Sequence, residues 1–233
     1  MQEILNLIRE RRSLRVPFDT DHPIAKQDLQ QILEAARWTP TAHNMQNFEI
    51  VVVDDKKKLE SITNIKRPVS ETFIRENFQH LSFSEEELSK KKVGILDTMF
   101  PPSWRTPDFK LSDLDEKEIA SMQRPFPSAP LMLVVTYDPS KRAPASKGDF
   151  LGIISLGCAM ENMWLMANSL GIGFHILSSL SAATVEEKVK NILNIPEKLN
   201  IAFTCRLGYP KAEAPRYVRV RRDVQDFVHH NKW

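Results

Sequence analysis

The chain has 233 residues, 42% of them hydrophobic, enough for one large α/β domain or a domain with an excursion. Its 32 basic and 30 acidic residues leave a formal net charge of +2. A general nucleic-acid binder would gather a basic excess on one face, so that class is set aside. Cys158 and Cys205 are the whole cysteine complement, with no C-x-x-C and no repeated Cys/His spacing. Neither a structural zinc site nor a thiol redox centre is expected.

Ile4, Leu7 and Ile8 follow the i, i+3, i+4 spacing of a short helix with one buried face. One turn further on, the same face lands on Arg11, so a guanidinium stands where a core side chain is expected. Arg11-Arg12-Ser13-Leu14-Arg15 meets no acid until Asp19, and Glu10 alone cannot neutralise three arginines. Two readings stay open. The stretch is a solvated basic helix end favourable to the helix dipole, or a site for an external anion, where bidentate donors beside a serine suit a phosphate.

Pro17 marks an extended connection, and Leu29, Ile32, Leu33 and Ala36 define a second amphipathic helix that must end before Pro40. Thr39 to Asn44 reads as a polar loop, and Phe48 to Val53 as a buried strand closed by Asp54-Asp55. Residues 56 to about 80 read as two helical pieces broken around Arg67-Pro68. Lys56-Lys57-Lys58 and Lys90-Lys91-Lys92 are most simply solvated faces. Between roughly 81 and 128 the chain turns charged and Pro-rich, with a helix expected over Ser112–Met122. This stretch has too few apolar residues for its own core, so it is expected to be an excursion packing near a site. Trp104, Phe109 and Phe126 would suit a partly mobile cover.

Leu131 to Tyr137 reads as a second buried strand. Phe150 to Leu170 is long enough to be mistaken for a membrane span, but Glu161, Asn162 and Asn168 interrupt it. A helix buried on most sides fits better, in the core or at a subunit interface, with Gly171 as its C-cap. Phe174 to Leu177 is strand-like, and His175 there reads as a hydrogen-bonded core histidine rather than a ligand. Thr184-Val185-Glu186-Glu187 has capping-box form and opens a helix ending near Asn194. Ile201, Phe203, Cys205 and Leu207 alternate as a half-buried strand ended by Gly208-Tyr209-Pro210, and the tail carries Arg219, Arg221 and Arg222. No signal-peptide pattern opens the chain, which with the sparse cysteines favours a reducing, cytoplasmic home.

There is no G-x-G-x-x-G after a strand, no P-loop, no G-x-S-x-G elbow and no H-E-x-x-H. Rossmann dinucleotide domains, P-loop hydrolases, α/β-hydrolases and zinc peptidases are thereby disfavoured, and no metal is expected. What remains is an arginine cluster at each end of the chain and a Pro-Thr-Ala-His-Asn loop. In their order and surroundings these pieces resemble the FMN-dependent nitroreductase family over essentially the whole length. The matching segments are Arg11-Arg12-Ser13-Leu14-Arg15 with Phe18 three residues on, and Ala35 through Phe48. Asn162-Met163-Trp164 leading to Leu170-Gly171-Ile172-Gly173 matches next, then Leu207-Gly208-Tyr209-Pro210 and the basic tail.

The resemblance implies an α+β fold, a mostly antiparallel central sheet sandwiched by helices, in a single domain over 1–233 and a domain-swapped homodimer. It implies FMN as cofactor and NADH or NADPH as electron donor, with reduction of a small nitroaromatic or quinone-type acceptor by ping-pong hydride transfer. Neither a nucleic acid nor a membrane is an implied partner. Other flavin chemistry of the same family, or a non-enzymatic flavin-binding protein, is the alternative. Residue by residue, Arg11, Arg12, Ser13 and Arg15 match the FMN phosphate and ring-edge contacts, and Arg219 and Arg221 match the C-terminal pair completing the phosphate site. Pro40, Thr41, Ala42 and Asn44 match a loop reaching the partner subunit's flavin. Ile176, Leu177, Ser178 and Ser179 match the stretch against the isoalloxazine, where many members carry an acidic residue and glycine. No side chain is implied as catalytic, because the flavin carries the chemistry.

Overall fold

A computed structural model describes residues 2–105, 108–123, 128–144, 148–177, 180 and 183–233. In chain order its helices and strands begin with α1 (Gln2–Glu10), α2 (Lys26–Arg37), β1 (Phe48–Val53) and α3 (Lys56–Thr63). Then come α4 (Glu71–Ile74), β2 (Ser82–Phe83), α5 (Glu85–Lys91), β3 (Ile95–Leu96) and α6 (Glu116–Gln123). The chain continues with β4 (Leu131–Tyr137), α7 (Phe150–Ser169), β5 (Gly173–Ile176), α8 (Ala183–Leu193) and β6 (Asn200–Gly208). These divide into two compact units, one of residues 1–67 with 126–214 and one of residues 68–125 with 215–233.

The first unit is built on an antiparallel sheet in the order β1-β4-β6-β5. Side chains alternate across it with the period of two that a strand imposes. Leu131, Leu133 and Val135 of β4 join Phe203, Cys205 and Leu207 of β6 and Phe174 of β5 in a core shared with α2 and α7. Met132 and Val134 turn the other way, onto Leu59 and Ile62 of α3 and Val185 and Val189 of α8. The sheet is thus covered on both faces, a three-layer sandwich. This also explains why β4 is a continuous apolar run rather than an alternating one. The same cover corrects the reading of β6 as half-buried, since every residue from Phe203 to Gly208 is buried.

Local rules account for the element ends. The Asp55 carboxylate accepts from Lys58 N at 2.9 Å and starts α3. At the end of α7, Gly171 takes φ +71° while Ile172 N donates to Ala167 O and Gly171 N to Asn168 O, the two bonds of a Schellman closure. The capping box expected at Thr184 is not used, because α8 already includes Ala183; Glu186 accepts Ile201 N at 2.6 Å and ties the helix to β6. Helix α1 forms where expected, but Ile4 and Ile8 are exposed, so its apolar face is only partly covered, at Leu7. Both cysteines are free thiols, Cys205 buried and Cys158 partly so.

Apolar residues of the stretch over 81–128 pack together with residues 69–74 in the second unit. Ile74, Phe109, Leu114 and Met122 are buried together, with Val69, Phe73, Trp104 and Ile119 packed around them. Its apolar residues are scattered in sequence and gathered by short turns, including a π-turn over Arg75–Gln79. Helix α5 opens on a Ser84–Glu87 capping box and β2 pairs β3 in parallel. Lys92 pairs with Asp223 of the exposed tail. Trp104 and Phe109 belong to this packing, whereas Phe126 lies outside the described residues.

Candidate functional site

The arginine stretch leaves α1 and is fastened at successive points to the first unit. Arg11 Nε lies 3.0 Å from Glu161 of α7, and its guanidinium stacks 4.1 Å from the centre of the Trp164 ring. Trp164 Nε1 donates to Arg12 O at 3.3 Å. Leu14 N donates to Phe174 O at 3.0 Å, laying the stretch along β5. Ser13 is partly buried and Arg15 is exposed between its two fastened neighbours. Glu161 is the acid that the sequence reading did not find for this cluster. It lies about 150 positions away, beyond what local charge patterning can see.

A second residue invisible to that reading organises the same region. Arg206 of β6 is 1% exposed, and its guanidinium gathers uncharged acceptors. Nη2 donates to Leu14 O at 3.2 Å and Val16 O at 2.8 Å, Nη1 to Ser128 O at 3.3 Å, and Nε to His175 Nδ1 at 3.0 Å. The plane lies 4.3 Å from the centre of the Phe18 ring. Burial pulls the Arg206 pKa down to about 10, so the group stays charged at neutral pH. Burial, then Arg206 and Arg15, push His175 down to about 3. His175 is therefore a neutral imidazole that accepts at Nδ1 and carries its proton on Nε2.

Phe18 closes the arrangement from the side. It is fully buried, bridges Pro210 across the Gly208-Tyr209-Pro210 turn, and donates its N–H to Ser128 O at 3.0 Å. A Cβ at Gly173 would stand 2.5 Å from the Phe18 ring, and one at Gly208 would stand 2.7 Å from Phe18 Cβ. Two glycines on adjacent strands thus make room for the ring on which Arg206 rests.

The Pro40 loop is fastened to α7 at other points. Ala42 N donates to Ser155 Oγ at 3.1 Å, and Asn162 Nδ2 donates to Thr39 Oγ1 at 3.0 Å. His43, Asn44 and Gln46 take φ values of 50°, 52° and 46°, the left-handed region that side chains other than glycine and asparagine rarely adopt. Gln46 N bonds Thr41 Oγ1 and its side-chain amide bonds Asn44 Oδ1, which together hold that shape. At about 100° per residue, Ser155 and Asn162 share one flank of α7, while Glu161 and Trp164 lie roughly 140° round the helix. Within one chain the loop and the arginine stretch therefore occupy different flanks of the same helix.

Of the remaining expected residues, Ile176 ends β5 opposite Cys205, and Leu177 N donates to Thr204 O at 2.7 Å while its side chain joins the core. Ser178 and Ser179 lie outside the described residues. Arg219 and Arg221 lie on the exposed tail of the second unit, with Arg221 Nη1 donating to Val220 O at 2.7 Å.

Helices on both faces of an antiparallel sheet, with an arginine-rich stretch clamped along an edge strand, make this an α+β three-layer sandwich with a built cationic margin. The Nitroreductase family model matches residues 8–209, and the chain belongs to that family. An Archaeoglobus fulgidus protein, provisionally named NADH dehydrogenase/NAD(P)H nitroreductase, is 26% identical over the whole of both chains. Two solved structures share the fold at a TM-score of 0.61 and 21% identity: nitroreductases with bound FMN from Bacteroides fragilis and Desulfitobacterium hafniense. The first likeness covers 99% of this chain and 100% of the neighbour, the second 100% of both.

Proposed function

We propose that the chain is an FMN-dependent oxidoreductase that takes electrons from NADH or NADPH and reduces small nitroaromatic or quinone-type acceptors. The observation that carries this reading is the arginine stretch, fastened along β5 at Leu14 and leaving Arg15 exposed beside a neutral His175. A donor set of arginines and a serine suits a phosphate ester better than an uncharged ligand. Similar proteins that carry nitroreductase names, two of them solved with FMN, support the choice of cofactor.

In this reading Arg11, Arg12 and Ser13, with Arg219 and Arg221 of the tail, hold the phosphate. Arg15 faces the polar edge of the ring, where a fixed positive charge stabilises negative charge that develops there. Ile176 and Leu177 open the stretch that lies against the ring. Bound FMN would supply the redox chemistry, taking hydride from the nicotinamide in one half-reaction and passing electrons to the acceptor in the next. The protein's own work is positioning, so no nucleophile or acid–base triad is needed.

The site is shared between two copies. Pro40, Thr41, Ala42 and Asn44 sit on the flank of α7 away from the arginine stretch, as a loop serving a second subunit's cofactor would. The exposed apolar residues Phe150, Ile153 and Ile154 of α7 and Ile4 of α1 would be covered by that second copy.

The purified protein is expected to be yellow with about one FMN per chain, read by visible absorbance. Charge-assisted hydrogen bonds contribute roughly 1.5–3 kcal/mol each, so Arg11→Ala combined with Arg221→Ala should weaken FMN on the order of a hundredfold or more. Undiminished FMN affinity in that double variant would remove the phosphate assignment.

A further inference from the structure

Arg206 raises a question that the fold alone does not answer. A guanidinium at 1% exposure costs free energy to desolvate, and its hydrogen-bond acceptors are three backbone carbonyls and an imidazole nitrogen, none of them charged. An apolar side chain would fill that place in the sheet without the desolvation cost. The acceptors themselves show what the charge achieves. Two of them, Leu14 O and Val16 O, flank Arg15, and a third, Ser128 O, also receives the Phe18 N–H. The planar fork therefore fixes the backbone on both sides of Arg15, while Phe18 and the two glycines beside it hold the fork in place.

We propose that Arg206 is a positioning residue for cofactor recognition: its buried fork sets the path of residues 14–16 so that Ser13 meets the phosphate and Arg15 the ring edge. His175 is part of the same device, as the acceptor that orients the fork through Nε. The assignment rests on the FMN reading above. A lysine at position 206 would keep the charge, but its single ammonium cannot span Leu14 O, Val16 O, Ser128 O and His175 Nδ1 together. Geometry and charge are therefore separable by substitution.

The experiment compares FMN and riboflavin, which share the ring and differ in the phosphate. Dissociation constants are measured by flavin fluorescence for wild type, Arg206→Lys and His175→Leu, with near-UV circular dichroism to confirm folding. Arg206→Lys should weaken FMN by about ten- to a hundredfold and riboflavin by clearly less, because riboflavin has the Arg15 contact at the ring edge but no phosphate to lose. His175→Leu, which removes only the Nε acceptor at a partly exposed position, should give a smaller FMN-selective loss and serves if Arg206→Lys does not fold. Hydrogen exchange at the Leu14 and Phe18 amides should quicken in either variant. FMN binding unchanged in the folded variants, or equal losses for both flavins, would overturn the assignment alone. A wild type that takes up neither flavin would overturn the cofactor reading and this assignment with it.

Discussion

Residue by residue, the candidate site is held by contacts that join distant parts of the chain. Arg11 was legible as an anomaly, a charge on the apolar face of a helix. Its partner Glu161 and its stacking surface Trp164 were not, because only the packing of α1 on α7 brings them together. Arg206 was hidden for a different reason. The odd positions of β6 carry the apolar alternation, so the even ones read as solvent-facing, and nothing local reveals that residues 14–18 and Ser128 close over Arg206. The bond from Arg206 Nε matches the reading of His175 as a hydrogen-bonded histidine, but the residue is only partly buried rather than part of the core.

His175 also gives the chain a pH signature. Burial first, then the charges of Arg206 and Arg15, hold its folded pKa at about 3, against an ordinary value of 6.5. Below about pH 6.5 the unfolded chain takes up a proton that the folded chain refuses. This group's contribution is complete above that pH and is lost as pH falls toward about 3, by up to about 1.4 kcal/mol per unit. Urea unfolding from about pH 7.5 to about pH 4.5 should show a steeper acid loss in wild type than in His175→Asn, which keeps an acceptor but cannot charge. Parallel pH dependences for the two proteins would mean that His175 accepts a proton in the folded state.

At the scale of elements, α7 carries the most consequence. One flank holds the arginine stretch through Glu161 and Trp164, another holds the Pro40 loop through Ser155 and Asn162, and its N-terminal part stays uncovered. Phe150 is 64% and Ile153 59% exposed, and Ile4 of α1 is 66% exposed. By length and composition α7 could cross a membrane, but 39% of its apolar window is already buried within the chain. A second copy is the cover that the account predicts. Sedimentation should give about twice the 26.8 kDa chain mass. Ile153→Glu should weaken that dimer on the order of a hundredfold or more, because a two-fold interface would bury the new charge twice. A wild-type monomer that binds FMN tightly would contradict a shared site.

The sequence was most readable where one short-range rule governs. The apolar runs of β1 and β4 and the Gly171 terminus of α7 fall where periodicity and capping put them, although β1, at the sheet edge, is partly exposed with only Val53 buried rather than the buried strand its run suggests. It was least readable where cover comes from elsewhere. The spacing of α1 is that of a buried face, yet Ile4 and Ile8 stay exposed and only Leu7 of that face is partly buried. The core of the second unit was missed because Ile74, Phe109, Leu114 and Met122 follow no helical or strand period.

On the scale of the whole molecule, the sheet of the first unit and its helical layers form a frame, with a clamped arginine stretch along its β5 edge and a strained loop against α7. Family membership agrees with that division, since a sandwich that positions a cofactor can differ in acceptor without altering its core. The second unit has its own core, with Trp104 stacked on Phe100 at 6.3 Å, so its aromatics have a packing role whatever acceptor is used. The claim on which the account turns is electron transfer from a pyridine nucleotide through bound FMN. The direct measurement is an anaerobic titration of the FMN-loaded protein with NADH and, separately, NADPH, followed by addition of a quinone. At least one nucleotide should bleach the flavin absorbance stoichiometrically, and the quinone should restore it. Flavin that stays fully oxidised with both nucleotides would contradict the account.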